Sequence, residues 1–302
     1  MHTAHRFVSL LAFVALAVAP ACAPPDRRAV TSGVAIVDDF GDTVRVGARP
    51  QRIVSLNPAT TELLFAIGAG ARLVGRTHWD TYPDSARLVP DLGDGMRPNI
   101  EAVIAARPDL VLLYASAENR AARDAFRHAG IQTLTQRIDL TQDFARGIVV
   151  LGRVVGDTAR AIVVRDSVLA SLARARSLTA GLKRPRVFWL LWESPMLAVG
   201  SGSFLNELLE TAGADNIFAD LTAPSPQVTF EEIVRRDPDF LLVGPSRVAA
   251  LPGDPRWRPL RAVRQRGVVT YDTLIVARPG VRLGEAAMYL ARLFHPELRA
   301  QK

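Results

Sequence analysis

The sequence predicts an α/β protein of two Rossmann-like lobes with parallel sheets, joined by one long bridging α-helix. Three observations carry that expectation. Residues 99–113, N-I-E-A-V-I-A-A-R-P-D-L-V-L-L, are echoed by residues 229–243, T-F-E-E-I-V-R-R-D-P-D-F-L-L-V. Each stretch has a helix-capping residue, an apolar residue, a glutamate, about two turns of helix former, a Pro-Asp pair and a strand-forming run. A second echo precedes each one, since Glu62-Leu63-Leu64 through Ile67-Gly68-Ala69 returns as Glu207-Leu208-Leu209 through Ala212-Gly213-Ala214. Strand–helix units in series call for parallel sheets covered by helices, and the same order twice calls for two similar lobes. Third, residues 141–182 between the repeats are nearly unbroken helix former, and about 20 residues of helix reach roughly 30 Å.

In chain order, residues 1–21 read as a signal peptide. His2, His5 and Arg6 precede an apolar run at residues 7–19, too short to span a bilayer, and Ala19-Pro20-Ala21 follows. Cys22, the only cysteine, sits where a bacterial lipoprotein is cut and lipidated. Simple cleavage, leaving a soluble periplasmic protein, is the alternative. Either reading exports the chain, and a single cysteine excludes disulfides and multi-thiolate metal sites. Residues 22–33 form a polar tether.

Residues 34–140 are then the N-terminal lobe. A β-hairpin spans 34–46, residues 52–56 form a short buried strand, and Asn57 with Pro58 opens a helix that Gly68 or Gly70 closes. Residues 110–114 are the strand of the second unit. Residues 141–182 are the bridging helices, with a pause at Gly156-Asp157, and 183–302 are the C-terminal lobe. There residues 187–192 form the first strand, and Thr229 with Glu232 forms a capping box before the strand at 240–243.

The formal charge of +7 falls to +6 without residues 1–21, and nearly all of the basic residues are arginine. Export and the lack of a basic run with interleaved aromatics argue against nucleic acid. A basic surface facing anionic lipid or an acidic ligand is more economical. No G-x-x-x-x-G-K-[ST] loop is present, so ATP hydrolysis would belong to a partner. The sequence G-S-G-S-F at 200–204 lacks the order of a nucleophile elbow, which disfavours an envelope hydrolase. A purely structural lipoprotein would not need an aromatic-lined cleft.

Five segments resemble the class III periplasmic binding proteins: R-I-V-S-L-N-P-A-T-T-E-L-L-F-A-I-G, T-H-W-D-T-Y-P, N-I-E-A-V-I-A-A-R-P-D-L-V, F-L-N-E-L-L-E-T-A-G-A-D-N-I-F and P-Q-V-T-F-E-E-I. The resemblance covers residues 34–297 and is strongest to the cobalamin-binding members. It implies a non-catalytic receptor that captures a corrinoid between its lobes and delivers it to an ABC importer permease dimer with its cytoplasmic ATPase. Ferric siderophore or haem is the alternative ligand. No intrinsic cofactor is implied; the ligand itself would be a metal-containing corrinoid or iron chelate. The working place would be the periplasm or the outer face of the cytoplasmic membrane, with a lipid anchor at Cys22.

By the same resemblance, Glu101 and Glu231, 130 residues apart, dock onto permease arginines. Both would also stand in first helical turns, where a carboxylate complements the helix dipole. Trp79 is implied as a stacking residue for a flat ring, with Tyr114, Trp192 and Arg278 as further cleft residues. Asn57 opens a helix toward the cleft and could offer its amides to ligand oxygens. His78 beside Trp79 could supply an axial nitrogen. Trp189 and Trp257 read as packing, and His295, in F-H-P-E, as terminal. The chain departs from the cobalamin binders at Ser225, Leu191 and Leu197, and near Gly93, where those have aromatics.

Overall fold

The computed structural model describes residues 34–46 and 49–299. The expected signal peptide, the tether and Cys22 lie outside the described residues. Strands β1 (Val34–Val37) and β2 (Thr43–Val46) pair antiparallel around Gly41. The buried Asp38 carboxylate accepts the amides of Phe40 and Asp42 and the Thr135 hydroxyl, which ties this hairpin to the sheet beside it.

That sheet is fully parallel. Its strands are β3 (Ile53–Ser55), β4 (Leu73–Gly75), β5 (Leu110–Tyr114) and β6 (Gln132–Gln136), in the order β4-β3-β5-β6. Helices α1 (Pro58–Ala66), α2 (Ile100–Ala105) and α3 (Asn119–His128) make the connections. Asn57 caps α1, its Oδ1 accepting the Ala59 amide at 2.9 Å.

Helices α4 (Thr141–Val155) and α5 (Thr158–Thr179) follow. Gly156 has φ +78° and so ends α4 in a conformation that costs other residues energy, and the Asp157 side chain accepts the Arg160 amide to begin α5. The bridge is thus two helices bent at Gly156 rather than one rod. At about 1.5 Å per residue, the 22-residue α5 extends roughly 33 Å. It is packed rather than free-standing. Ala161, Val168, Leu172 and Ala175 are buried in one apolar core that runs from the first sheet to the C-terminal helix.

The second sheet contains β7 (Arg186–Glu193), β8 (Met196–Ala198), β9 (Asp215–Asn216), β10 (Phe240–Val243) and β11 (Val268–Thr270). Strands β9, β10 and β11 run parallel with β7 in the order β9-β7-β10-β11, while β8 pairs with β7 antiparallel. Helices α6 (Phe204–Thr211), α7 (Phe230–Arg236), α8 (Pro245–Val248), α9 (Arg261–Arg264), α10 (Thr273–Val276) and α11 (Leu283–Phe294) complete it. Strand for strand this matches β4-β3-β5-β6.

The echoes have a common geometry. Gly68 and Gly213 both have positive φ, and after them Ala69 donates to Leu64 O at 2.8 Å and Ala214 to Leu209 O at 2.9 Å. The two Pro-Asp pairs do one job. Asp109 accepts the Gln51 and Arg52 amides and donates its own amide to Arg52 O; Asp239 accepts the Arg186 amide and donates its own to Arg186 O. Each aspartate therefore fixes the entry of its central strand, β3 or β7.

His295 differs from expectation. It is buried, with Nε2 3.0 Å from Ala212 O, because it closes the turn that carries Gly213. Trp189 and Trp257 are buried as the sequence suggests.

A Gly156→Ala substitution should destabilise the chain by about 1 kcal/mol or more, because an L-residue is strained at that φ and its Cβ would also collide with the Arg49 side chain. Urea denaturation measures it, and a midpoint equal to that of the parent would refute it.

Candidate ligand-binding cleft

The carboxyl ends of the first-sheet strands open onto a cavity of about 320 Å³. Asn57, Trp79, Tyr114 and Asp139 line it from the first half, and Phe204 and Pro279 from the second. The wall is thus shared between the halves, as expected at the carboxyl ends of parallel strands. Trp79 is 60% exposed. Tyr114 Oη donates to Asp139 Oδ1 at 2.6 Å; burial first, and Asp139 second, raise the phenol above its ordinary range.

Trp192, at 62% exposed, lines a second cavity of about 390 Å³ with Glu193, Arg247 and Tyr271. There Arg247 donates to Glu193 Oε1 at 2.8 Å. His78 is exposed, its ring 4.6 Å from the Trp79 ring, and it lines neither cavity. Leu191 also lines the second cavity, and Ser225 is exposed. Among the described residues no group of three His, Cys, Asp or Glu side chains is placed to hold a metal.

Arg278 lines neither cavity. It belongs to a charged cluster between the halves that the sequence reading missed. Glu62, on α1 and 2% exposed, has its Oε1 3.2 Å from Arg282 Nη2 and 3.7 Å from Arg278 Nη1. Arg278 also donates to the Trp79 carbonyl, and Arg282 stacks 3.8 Å over the Tyr82 ring. Asp80 is buried beside them and accepts the Thr61 and Thr77 hydroxyls. Burial pushes the Glu62 carboxyl up to about 7 despite both arginines, and it raises Asp80 as well.

No sequence signal exposes Glu62 in advance. Residues 59–64 read A-T-T-E-L-L, half of them polar, and their burial appears only in the folded chain, where a carboxylate requires a partner.

Glu101 and Glu231 are exposed and occupy the second position of α2 and α7. Asn99 caps α2 by accepting the Ala102 amide. Thr229 caps α7 in a complete box with Glu232.

A two-half α/β protein with a partly aromatic cavity between its halves is what this geometry describes, and comparison with known proteins supplies its family. The family model for periplasmic binding proteins matches residues 53–273, and the chain belongs to that family. It is 31% identical to an uncharacterised ABC transporter substrate-binding lipoprotein, YvrC, of Bacillus subtilis strain 168, over 87% of this chain and 86% of that one. It is likewise 31% identical to a cobalamin-binding protein of Halobacterium salinarum, over 96% and 85%. Among solved structures, the haem-binding protein RhuT of Roseiflexus sp. RS-1 superposes with a TM-score of 0.74 at 26% identity, covering 82% of this chain and 99% of that one. The vitamin B12-binding protein BtuF of Vibrio cholerae shares the fold at a TM-score of 0.71 and 23% identity, over 84% and 99%. The chain is a substrate-binding protein of an ABC importer, in the group of receptors for cobalamin, siderophores and haem. Such proteins bind a small ligand and work with a permease and its ATPase. No described helix is long and apolar enough to cross a membrane.

The charged cluster predicts a pH dependence. Unfolded Glu62 ionises near 4.5, whereas the folded carboxyl holds its proton up to about 7. Stability from this group is therefore complete below pH 4.5 and declines as pH rises to about 7, with Asp80 acting in the same direction. Between pH 4.5 and 8 the parent should lose about 3 kcal/mol more than Glu62→Gln does. Urea midpoints across that range decide it, and parallel profiles would be the contrary result.

Proposed function

We propose that this protein is the corrinoid receptor of its importer, holding a cobalamin-type ligand between its halves while Cys22 anchors it by lipid to the outer face of a membrane. One observation carries the ligand reading. Trp79 is largely exposed and lines a cavity shared between the halves, with Tyr114 in the same wall, an arrangement suited to a flat macrocycle. Similarity to a cobalamin-binding protein along 96% of the chain supports it. Trp192, in the second cavity, is the aromatic proposed for the opposite side of the cleft, and Asn57 contributes polar contacts at the start of α1.

Haem or a ferric chelate is the second reading. His78 beside Trp79 favours it, as an accessible nitrogen next to the stacking ring. Cyanocobalamin, haemin and a ferric hydroxamate should each be titrated against tryptophan fluorescence. Cyanocobalamin should quench with one ligand per chain at micromolar concentration or below, and Trp79→Ala should weaken it roughly fivefold, about 1 kcal/mol for a lost stacking contact. Quenching by haemin alone would transfer the assignment to haem.

Glu101 and Glu231 are proposed to dock the permease, one from each half. Their equivalent exposed positions suit a two-fold symmetric partner. Reversing both, Glu101→Arg with Glu231→Arg, should abolish uptake in cells, because attractive contacts become like-charge clashes. Ligand affinity in the purified protein should be unchanged. Normal uptake by the double variant, or weak ligand binding by a folded one, would overturn the docking assignment.

A further inference from the structure

We infer that Arg278 is a positioning residue for ligand capture: seated against Glu62 of the first half, it reaches from the second half to fix the loop that presents Trp79. This rests on the proposal that Trp79 stacks on the ligand, but not on which flat ligand that is.

The geometry around Trp79 is unusual for an aromatic residue. Both of its main-chain polar groups are held, the amide donating to Thr77 Oγ1 at 3.3 Å and the carbonyl accepting from Arg278 Nη2. The indole itself is mostly in solvent. A tryptophan packed under its own loop would show the opposite pattern, with a buried ring. The next residue, Asp80, is clamped by Thr61 of α1 and by Thr77. The loop is therefore tied at residues 77, 79 and 80 while its ring stays free.

Arg278 has little alternative to this role. Its side chain is 13% exposed, and Nη1 is buried with no hydrogen-bond partner, only Glu62 Oε1 at 3.7 Å. Gly280 makes room for the carboxylate, since a Cβ there would come within 2.6 Å of Glu62 Oε2. The groups facing Glu62 are Arg278 and Arg282 from the second half and Asp80 from the Trp79 loop. An arginine so enclosed cannot swing out to a ligand without giving up both the Trp79 carbonyl and its contact with Glu62, which would be left with Arg282 alone.

The repeat supplies an independent observation. Glu207 occupies on α6 the place that Glu62 occupies on α1, and it too is engaged beyond its own half. It accepts both the amide and the hydroxyl of Thr141 at 2.6 Å, at the start of α4. In both halves the glutamate of E-L-L is a cross-connection. Only at Glu62 does that connection continue through an arginine to a residue at the cavity mouth.

The test uses a Trp192→Phe background. Trp189 and Trp257 are 1% and 0% exposed, so acrylamide-quenchable emission then reports Trp79. Arg278→Gln, Glu62→Gln and the double variant are compared without ligand in this background by time-resolved anisotropy, and in the protein that keeps Trp192 by cyanocobalamin affinity. Both single variants should roughly double the fast local motion of Trp79, and each should weaken binding about threefold, less than the loss of the Trp79 ring itself. The double variant should be no weaker than either, because the two residues act as one unit. Arg278→Lys, which keeps the charge but not the forked reach, should also loosen Trp79, and it decides the question if Arg278→Gln does not fold. Unchanged Trp79 motion, or losses that multiply in the double variant, would overturn the inference. If the parent protein binds no cyanocobalamin, the corrinoid assignment fails, while the anisotropy measurements still decide the role of Arg278.

Discussion

Each half of the molecule depends on one backbone exchange, in which an aspartate closes over the entry of a central strand. Asp109 and Asp239 take the amides at the starts of β3 and β7 and return their own to the carbonyls of Arg52 and Arg186. A parallel strand cannot be registered by a tight turn, since its neighbour arrives through a helical crossover. A side-chain clamp at the amino end supplies the missing constraint. With the entries fixed, the strands deliver their carboxyl ends to one side, where Asn57, Tyr114 and Trp192 emerge. The repeated Pro-Asp phrase is therefore a structural device, and the cleft is its consequence.

The halves are joined by more than the bridging helices. A continuous apolar core connects the first sheet, α4, α5 and α11, and polar contacts cross at two places. On one side Phe204 donates its amide to Asp139 O at 2.6 Å and Glu207 caps α4. On the other, Glu62 meets Arg278 and Arg282. The energetics of that second contact are set by desolvation. Two guanidiniums lie within 4 Å of Glu62, yet the carboxyl titrates near 7, so the loss of water outweighs the attraction. A buried pair of this kind contributes little net stability but is costly to break, which suits an element that specifies geometry.

Much of this architecture is legible in the sequence because its signals are local. Asn57 with Pro58, the Thr229–Glu232 box and the glycines after each E-L-L helix state their roles within a few residues. The strands that escaped notice, β4, β6, β8, β9 and β11, are L-V-G, Q-T-L-T-Q, M-L-A, D-N and V-V-T, too short or too polar to stand out. His295 escaped for the opposite reason. Its role depends on the Gly213 turn, 82 residues earlier, and no local pattern announces such a contact.

The cleft residues divide along the same line. Trp79, Tyr114 and Trp192 sit at strand ends or in the loop after the first unit, so strand prediction alone places them near the opening. Arg278 is different, because its surroundings come from residues some 200 positions away. An exposed and a buried arginine look identical in a chain with so many of them. The echo compounds the difficulty, since E-L-L reads the same in both halves while Glu207 meets a helix terminus and Glu62 meets two arginines. Repetition reveals the scaffold that two halves share. What distinguishes them, and so breaks the symmetry of the cleft, lies in partners that only the folded chain brings together.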